Sequence, residues 1–230
     1  LVKPLLLSVN QKQLNFEAIE SYSNFNRNDL NETYFKNIFK ILPGELIIFS
    51  NQNLKKIKLL KFNFREENIK NLKDKVAKTF SKQFISDVPV ALSLSGGIDS
   101  NLILSQLLKK KSNDLNIYSV FFEGSKKFSR DFDIAKDIAK ENNLNFNPIG
   151  IKPSDFIETA DKIVDIVEEP VGNTNSVANY ILSKNVNEKV LFSGDGGDEV
   201  STGYDRYKSI YKINLLNHIN PFKKLNLKFK

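Results

Sequence analysis

The stretch Ser95-Gly96-Gly97-Ile98-Asp99-Ser100 directly follows the apolar run Val88–Leu94. The run predicts a buried strand, and apolar residues at helical spacing from Leu102 to Leu108 predict a helix after the turn. Two adjacent glycines permit positive φ and let a ligand approach the backbone closely. Backbone N–H groups at the start of a helix form an anion site that suits phosphates. The hexapeptide therefore predicts a phosphate-binding turn between a strand and a helix.

Asp99 is unexpected in an anion site, because a carboxylate beside phosphates is repelled unless a cation lies between them. A Mg²⁺ ion between Asp99 and a polyphosphate would remove that repulsion. The hydroxyls of Ser95 and Ser100 add donors. The sequence contains neither the Walker-type nor the GxGxxG pattern, which argues against a P-loop NTPase and a dinucleotide-binding turn. A plain strand-to-helix turn with an aspartate N-cap is the alternative.

A second glycine-rich turn, Ser193-Gly194-Asp195-Gly196-Gly197-Asp198-Glu199, follows the short apolar run Val190–Phe192. Three carboxylates lie within these seven residues. Clustered carboxylates repel one another, and a metal ion or a cationic substrate would relieve the repulsion. A solvated acidic loop is the alternative.

Strand and helix patterns alternate along the chain after Asp87, and this alternation predicts an α/β fold with a doubly wound parallel sheet. Ligands of such sheets bind at the carboxyl ends of the strands, where both glycine-rich turns would lie. Before this region, residues 1–62 are predicted to form short β segments and turns, and residues 69–84 a helix. A domain boundary is expected near Phe64. The further predicted strands are 117–122, 145–151 and 190–192, and the further predicted helices are 132–142, a segment opening at 153, and 176–184.

Composition excludes several classes of protein. The 230 residues contain no Cys, so disulfides, thiolate metal sites and a cysteine nucleophile are excluded within this sequence. No membrane-spanning run and no secretory signal are visible, and a cytoplasmic location is expected. The net charge of +7 could indicate a nucleic-acid partner or a lysine-rich composition. Dispersed lysines favour the second interpretation, so no nucleic-acid or membrane partner is expected. The absence of Met, with Leu1 inside an apolar run, indicates a fragment.

The first turn is similar to the pyrophosphatase-loop signature of the ATP pyrophosphatases. The second turn, with Gly203-Tyr204 and Arg206-Tyr207 after it, resembles the second signature of the glutamine-hydrolysing asparagine synthetases, and the order of motifs holds across residues 85–210. The resemblance implies an adenine nucleotide alpha hydrolase-like fold that uses ATP and Mg²⁺. It also implies adenylation of the aspartate side chain, amide formation with ammonia from glutamine, and release of AMP and pyrophosphate. Alternatives are an adenylating amidotransferase for another acid or amine and a tRNA-modifying enzyme with the same loop.

The resemblance implies roles for individual residues. Asp99 and Asp198 would bind Mg²⁺, and Asp195 would act in forming or consuming the adenylate. The residues implied to contact ATP are Leu94, Ser95, Gly96, Gly97, Asp99, Ser100, Val120, Ser193 and Gly194.

Val2–Leu5 and Phe35–Gly44 resemble segments of the family's N-terminal glutaminase domain. Residues 1–64 are therefore expected to be a β-rich remnant of an N-terminal nucleophile glutaminase domain. Residues 65–230 would be the synthetase domain, truncated before the region that supplies a catalytic lysine in the family. Two departures stand out: Glu17-Ala18 replaces a Ser-Glu pair, which puts glutaminase activity in question, and Val200-Ser201-Thr202 replaces Leu-Phe-Gly, which leaves the acceptor substrate open.

Overall fold

The computed structural model describes residues 2–8, 13–28, 31–59, 71–109, 115–125 and 129–219. The chain divides into two compact units, the first formed by Leu1–Lys75 with Ile151–Lys184 and the second by Val76–Gly150 with Asn185–Lys230. The boundary expected near Phe64 lies outside the described residues. Within the described ranges, no helix has both the length and the apolar character needed to cross a membrane.

The secondary structure alternates between strands and helices after residue 90. In chain order, the described elements are α1 (Lys3–Ser8), α2 (Phe16–Phe25), β1 (Glu45–Ser50), β2 (Asn53–Lys58), α3 (Leu72–Gln83), β3 (Val90–Ser93), α4 (Ile98–Lys109), β4 (Asn116–Phe122), α5 (Ser129–Glu141), β5 (Asn145–Ile151), α6 (Pro153–Val167), α7 (Asn175–Asn185), β6 (Val190–Phe192), α8 (Gly197–Ser201) and α9 (Asp205–Ile219).

In the first unit, the prediction that residues 1–62 form only β segments and turns is wrong at α1 and α2. The Asn15 side chain accepts a hydrogen bond from the Ala18 N–H and caps the start of the helix. Asn26 takes the left-handed conformation with φ of 54° and ends it. The antiparallel hairpin of β1 and β2 agrees with the predicted β structure. A glutaminase origin of this segment stays a prediction.

The second unit contains a four-stranded sheet in the spatial order β5-β4-β3-β6. Strand β3 pairs in parallel with both β4 and β6. The predicted strands and the parallel α/β sheet are therefore confirmed. The strand order reverses beside β3, because β4 and β5 lie on one side of it and β6 lies on the other. Both glycine-rich turns thus follow the two strands that flank this switch point, the position where open α/β sheets bind ligands.

The hydrophobic core of the second unit lies directly beneath the first turn. Leu92 and Leu94 are fully buried against Ile117 of β4, with Leu104 of α4 and Ala135 of α5 in the same cluster. Burying a leucine or isoleucine side chain stabilises the fold by about 1.5–3 kcal/mol. The end of β3 is therefore firmly held, and the turn that follows starts from a fixed position.

Candidate functional site

The first turn, residues 95–100, is closed by its two serine hydroxyls. Ser95 Oγ and Ser100 Oγ are 3.1 Å apart, and Ser100 Oγ donates to the Gly97 carbonyl at 3.1 Å. The Ser95 N–H donates to Ser100 Oγ at 3.3 Å. Ser100 is 2% exposed, so its hydroxyl is a buried brace inside the turn. Ser95 and Gly97 are exposed, which leaves the outer part of the turn accessible to a ligand.

Gly96 is required by both its conformation and its surroundings. Its φ is 76°, and a Cβ at this position would lie 2.2 Å from the carbonyl oxygen of Asp131 in the first turn of α5. Any side chain would therefore force the turn away from α5. This contact fixes the turn against the helix that follows β4.

The second turn, residues 193–199, has a similar internal brace. Ser193 Oγ donates to Asp195 Oδ2 at 3.0 Å. Gly196 has φ of 89°, and the chain enters α8 at the next residue. Asp195 and Asp198 are exposed and Asp99 is half buried.

The two turns meet through Asp99. A Cβ on Gly197 would lie 2.3 Å from both Cγ and Oδ2 of Asp99, and a Cβ on Gly194 would lie 2.9 Å from the Ser100 nitrogen. The structure thus places the Asp99 carboxylate against the backbone of the second turn, at the residue that precedes Asp198. Two motifs that are far apart in the chain therefore lie in contact with each other.

The Asp198 carboxylate also lies against the backbone of a glycine, Gly203. A Cβ on Gly203 would lie 2.0 Å from Asp198 Oδ1. Each proposed metal-binding carboxylate therefore rests against a backbone that has room for it only because a glycine is present. Sequence reasoning missed the role of Gly197 and Gly203, and the only available signal was their presence in the second turn and in the Gly203-Tyr204 pair after it.

The donor set fits a magnesium ion that is shared with a polyphosphate. Among the described residues, no group of three or more Asp, Glu or His side chains could hold a metal. Mg²⁺ is usually bound by one or two carboxylates, and phosphate and water oxygens complete its octahedron. The Asp99 and Asp198 carboxylates supply this number of hard oxygen ligands, and no ion pair engages either of them within the described part of the chain.

Two other residues predicted to contact ATP lie in the strands. Leu94 is fully buried, and its N–H donates to the Tyr118 carbonyl at 2.9 Å, so only other backbone atoms of this residue could face a ligand. Val120 lies half buried in β4, and its contact with a nucleotide stays a prediction.

A cluster of aromatic and charged side chains follows the second turn. The Arg206 guanidinium lies 4.4 Å from the centre of the Tyr204 ring and 5.3 Å from that of Tyr207. The Tyr204 hydroxyl donates to Glu199 Oε1 at 2.9 Å. This hydrogen bond, with a smaller effect of desolvation, raises the pKa of the Tyr204 hydroxyl. The sequence motif identified these residues, but it did not predict the stacking.

The fold and the site define an α/β protein with two glycine-rich, carboxylate-bearing turns at the switch point of a parallel sheet. A sequence model of the family described as asparagine synthase matches residues 71–227, which is more than half of the chain. The chain belongs to the asparagine synthase family.

Individual relatives agree with this assignment. The chain is 29% identical over 215 residues to the glutamine-hydrolysing asparagine synthetase 1 of Bacillus subtilis, a match that covers 90% of this chain and 34% of that protein. It is 26% identical over 203 residues to the glutamine-hydrolysing asparagine synthetase of Mesocricetus auratus, covering 75% of this chain and 36% of that protein. The chain therefore spans about a third of the length of these relatives.

Among solved structures, one similar chain is the glutamine-dependent NAD+ synthetase from Acinetobacter baumannii in complex with adenosine diphosphate. The match has 18% sequence identity and a TM-score of 0.42, and it covers 64% of this chain and 29% of that chain.

Proposed function

We propose that this chain is the ATP-using part of an enzyme that makes asparagine. In the proposed reaction, ATP activates the side-chain carboxylate of aspartate, and ammonia then converts the activated carboxylate to an amide. The products are asparagine, AMP and pyrophosphate. Ammonia would come from glutamine in the complete protein.

The contact between Asp99 and Gly197 is the observation that carries this proposal. It joins the phosphate-type turn after β3 to the acidic turn after β6. A nucleotide lying across this junction would contact the glycine-rich backbone of one turn and the carboxylates of both. Membership of the asparagine synthase family supports the same chemistry.

In the first step, a carboxylate oxygen of aspartate attacks the α-phosphorus of ATP, and the bond between this phosphorus and the α–β bridging oxygen breaks. Pyrophosphate leaves with that electron pair. The attack brings two anions together, so positive charge and N–H donors must be in place beforehand. Mg²⁺ held by Asp99 and Asp198 would supply the positive charge. The backbone N–H groups and hydroxyls of residues 95–100 would hold the leaving pyrophosphate.

In the second step, ammonia attacks the carbonyl carbon of the acyl-adenylate, and AMP leaves as nitrogen loses a proton. Asp195 is the proposed catalytic residue. It is exposed at the second turn, and the Ser193 hydroxyl fixes one of its carboxylate oxygens. That hydrogen bond would hold the Asp195 carboxylate in one orientation while the adenylate is formed or consumed.

A second candidate function keeps the adenylation but changes the acceptor. Val200 is 88% exposed, and Val200-Ser201-Thr202 departs from the Leu-Phe-Gly that the family resemblance implies at this place. Thr202 takes φ of 57°, a conformation that glycine adopts more easily. The segment Val200–Thr202 after the second turn therefore departs from the family pattern, and another acid or amine could be the substrate.

The products of ATP cleavage test the proposal. The complete protein is supplied with ATP, Mg²⁺, aspartate and ammonium, and nucleotides and phosphates are followed by ³¹P NMR. We expect AMP and pyrophosphate. Formation of ADP and inorganic phosphate would contradict the proposed chemistry, whereas AMP formed only with a different acid would favour the second candidate.

A further inference from the structure

Arg206 follows Asp205 in the chain and forms no ion pair within the described part of the chain. Asp205, its neighbour, pairs with Lys208 at 2.9 Å. Glu199 accepts a hydrogen bond from Tyr204. Both acidic side chains that neighbour Arg206 along the chain therefore have partners of their own. The guanidinium N–H donors of Arg206 are therefore available to another anion.

Two tyrosine rings hold this guanidinium in place. It lies 4.4 Å from the Tyr204 ring centre and 5.3 Å from the Tyr207 ring centre. The two rings are themselves 6.0 Å apart and inclined at 43°. Stacking on aromatic faces uses the flat surface of a guanidinium and leaves its N–H edge free. A restrained arginine also loses less conformational freedom when it binds a ligand.

The stacked arginine is connected to the acidic turn through Tyr204. The residue before Tyr204 is Gly203, whose backbone lies against Asp198 Oδ1. The Tyr204 hydroxyl is bound to Glu199 of the same turn. The guanidinium thus lies beside the turn that we propose for catalysis.

We propose that Arg206 binds the carboxylate of the acceptor substrate that does not react. The inference rests on the proposed function, in which the reacting carboxylate must approach Asp195 and Asp198. A planar guanidinium matches a carboxylate through two parallel hydrogen bonds. The substrate class is then a small acid with two carboxylates, and aspartate would be held by its α-carboxylate.

The test compares two ligands that differ only in that group. β-Alanine is aspartate without its α-carboxylate, so it keeps the amine and the reacting carboxylate. Binding of L-aspartate and of β-alanine to the complete protein is measured by calorimetry for the wild type, Arg206→Gln, Arg206→Lys and Lys208→Gln. Lys208 is an exposed cation on the same helix and serves as the matched control.

A ligand that lacks a hydrogen bond to a charged group binds about tenfold to hundredfold more weakly than one that forms it. We therefore expect the wild type and Lys208→Gln to prefer aspartate by that factor, and Arg206→Gln to bind both ligands equally. Arg206→Lys, which keeps the charge but lacks the planar fork, should fall between them. Thermal unfolding of each variant checks that the fold is intact.

The inference would be overturned by equal affinity of the wild type for the two ligands, by an unchanged preference in Arg206→Gln, or by an equal loss in Lys208→Gln. Weakened binding of ATP in Arg206→Gln with unaltered aspartate binding would also overturn it, because the guanidinium would then hold a phosphate. Formation of AMP is scored separately. A protein that forms AMP and keeps its aspartate preference without Arg206 retains the proposed function and loses only this inference.

Discussion

Replacing Gly197 by alanine should damage the site while leaving the fold stable. The new Cβ would lie 2.3 Å from Asp99 Cγ and Oδ2 and 2.8 Å from Oδ1. Non-bonded carbon atoms prefer separations of about 3.5–4.0 Å, so the carboxylate has to retreat by about 1 Å or more. Asp99 can do this by rotating its side chain. Gly197 is the first residue of α8 and its φ lies outside the left-handed region, so the backbone accepts alanine.

The expected effect on function is much larger than the effect on stability. A misplacement of about 1 Å in a reacting group can lower the rate by about a hundredfold. Alanine is a better helix former than glycine by about 1 kcal/mol, which offsets part of any steric cost. We therefore expect AMP formation to fall by about a hundredfold, with a melting temperature close to that of the wild type.

Gly124→Ala is the matched control because it should show the opposite pattern. Gly124 has φ of 80°, and a Cβ there would meet no atom within 4 Å. Alanine in a left-handed conformation costs about 1–2 kcal/mol, which lowers the melting temperature by several degrees. AMP formation should be unaltered. The reasoning is refuted if Gly197→Ala retains activity within about threefold of the wild type, a loss far short of that expected for such a displacement.

Three further changes have definite expected outcomes. Asp99→Asn keeps the size of the side chain but removes its charge, so AMP formation in a Mg²⁺ titration should be abolished; Asp161→Asn on α6 is the control, and unchanged turnover in Asp99→Asn would remove the proposed metal role. At Glu188, burial alone would raise the pKa, but hydrogen bonds from Asn116, Tyr118 and the backbone outweigh it and lower the pKa. The lowered pKa stabilises the fold at pH values above the ordinary glutamate pKa, and this stabilisation is lost as pH falls through the folded pKa. The melting temperature of the wild type should therefore fall below about pH 4.3, and that of Glu188→Gln should depend less on pH. An equally steep fall in the melting temperature of the variant would contradict this assignment. Ser119 Oγ is buried without a hydrogen-bond partner among the described residues, so Ser119→Ala should raise the free energy of unfolding by about 1 kcal/mol in urea denaturation, and a decrease would show that the hydroxyl is satisfied.

Local signals predicted the elements that carry the site. The apolar run before Ser95 and the glycines after it specify a strand and a turn through neighbouring residues alone, and β3, β6 and their turns lie where expected. Helices α1 and α2 were not predicted, although Asn15 and Asn26 at the ends of α2 are residues typical of helix ends.

The contacts that assemble the site could not be predicted in the same way. The approach of Asp99 to Gly197 depends on β6 lying next to β3, and strand order is set by the packing of the whole unit. The position of Arg206 over two tyrosine rings likewise depends on the path of the chain between α8 and α9. A family resemblance supplied the residues, and the three-dimensional structure supplied their neighbours.

The most direct test is a crystal structure of the complete protein with Mg²⁺ and a non-hydrolysable ATP analogue. We expect one ion with an oxygen of Asp99 and an oxygen of Asp198 at about 2.0–2.1 Å, and phosphate oxygens completing its octahedron. The β- and γ-phosphates should lie against residues 95–100. An analogue bound elsewhere, or an ion that contacts neither carboxylate, would contradict the proposed site.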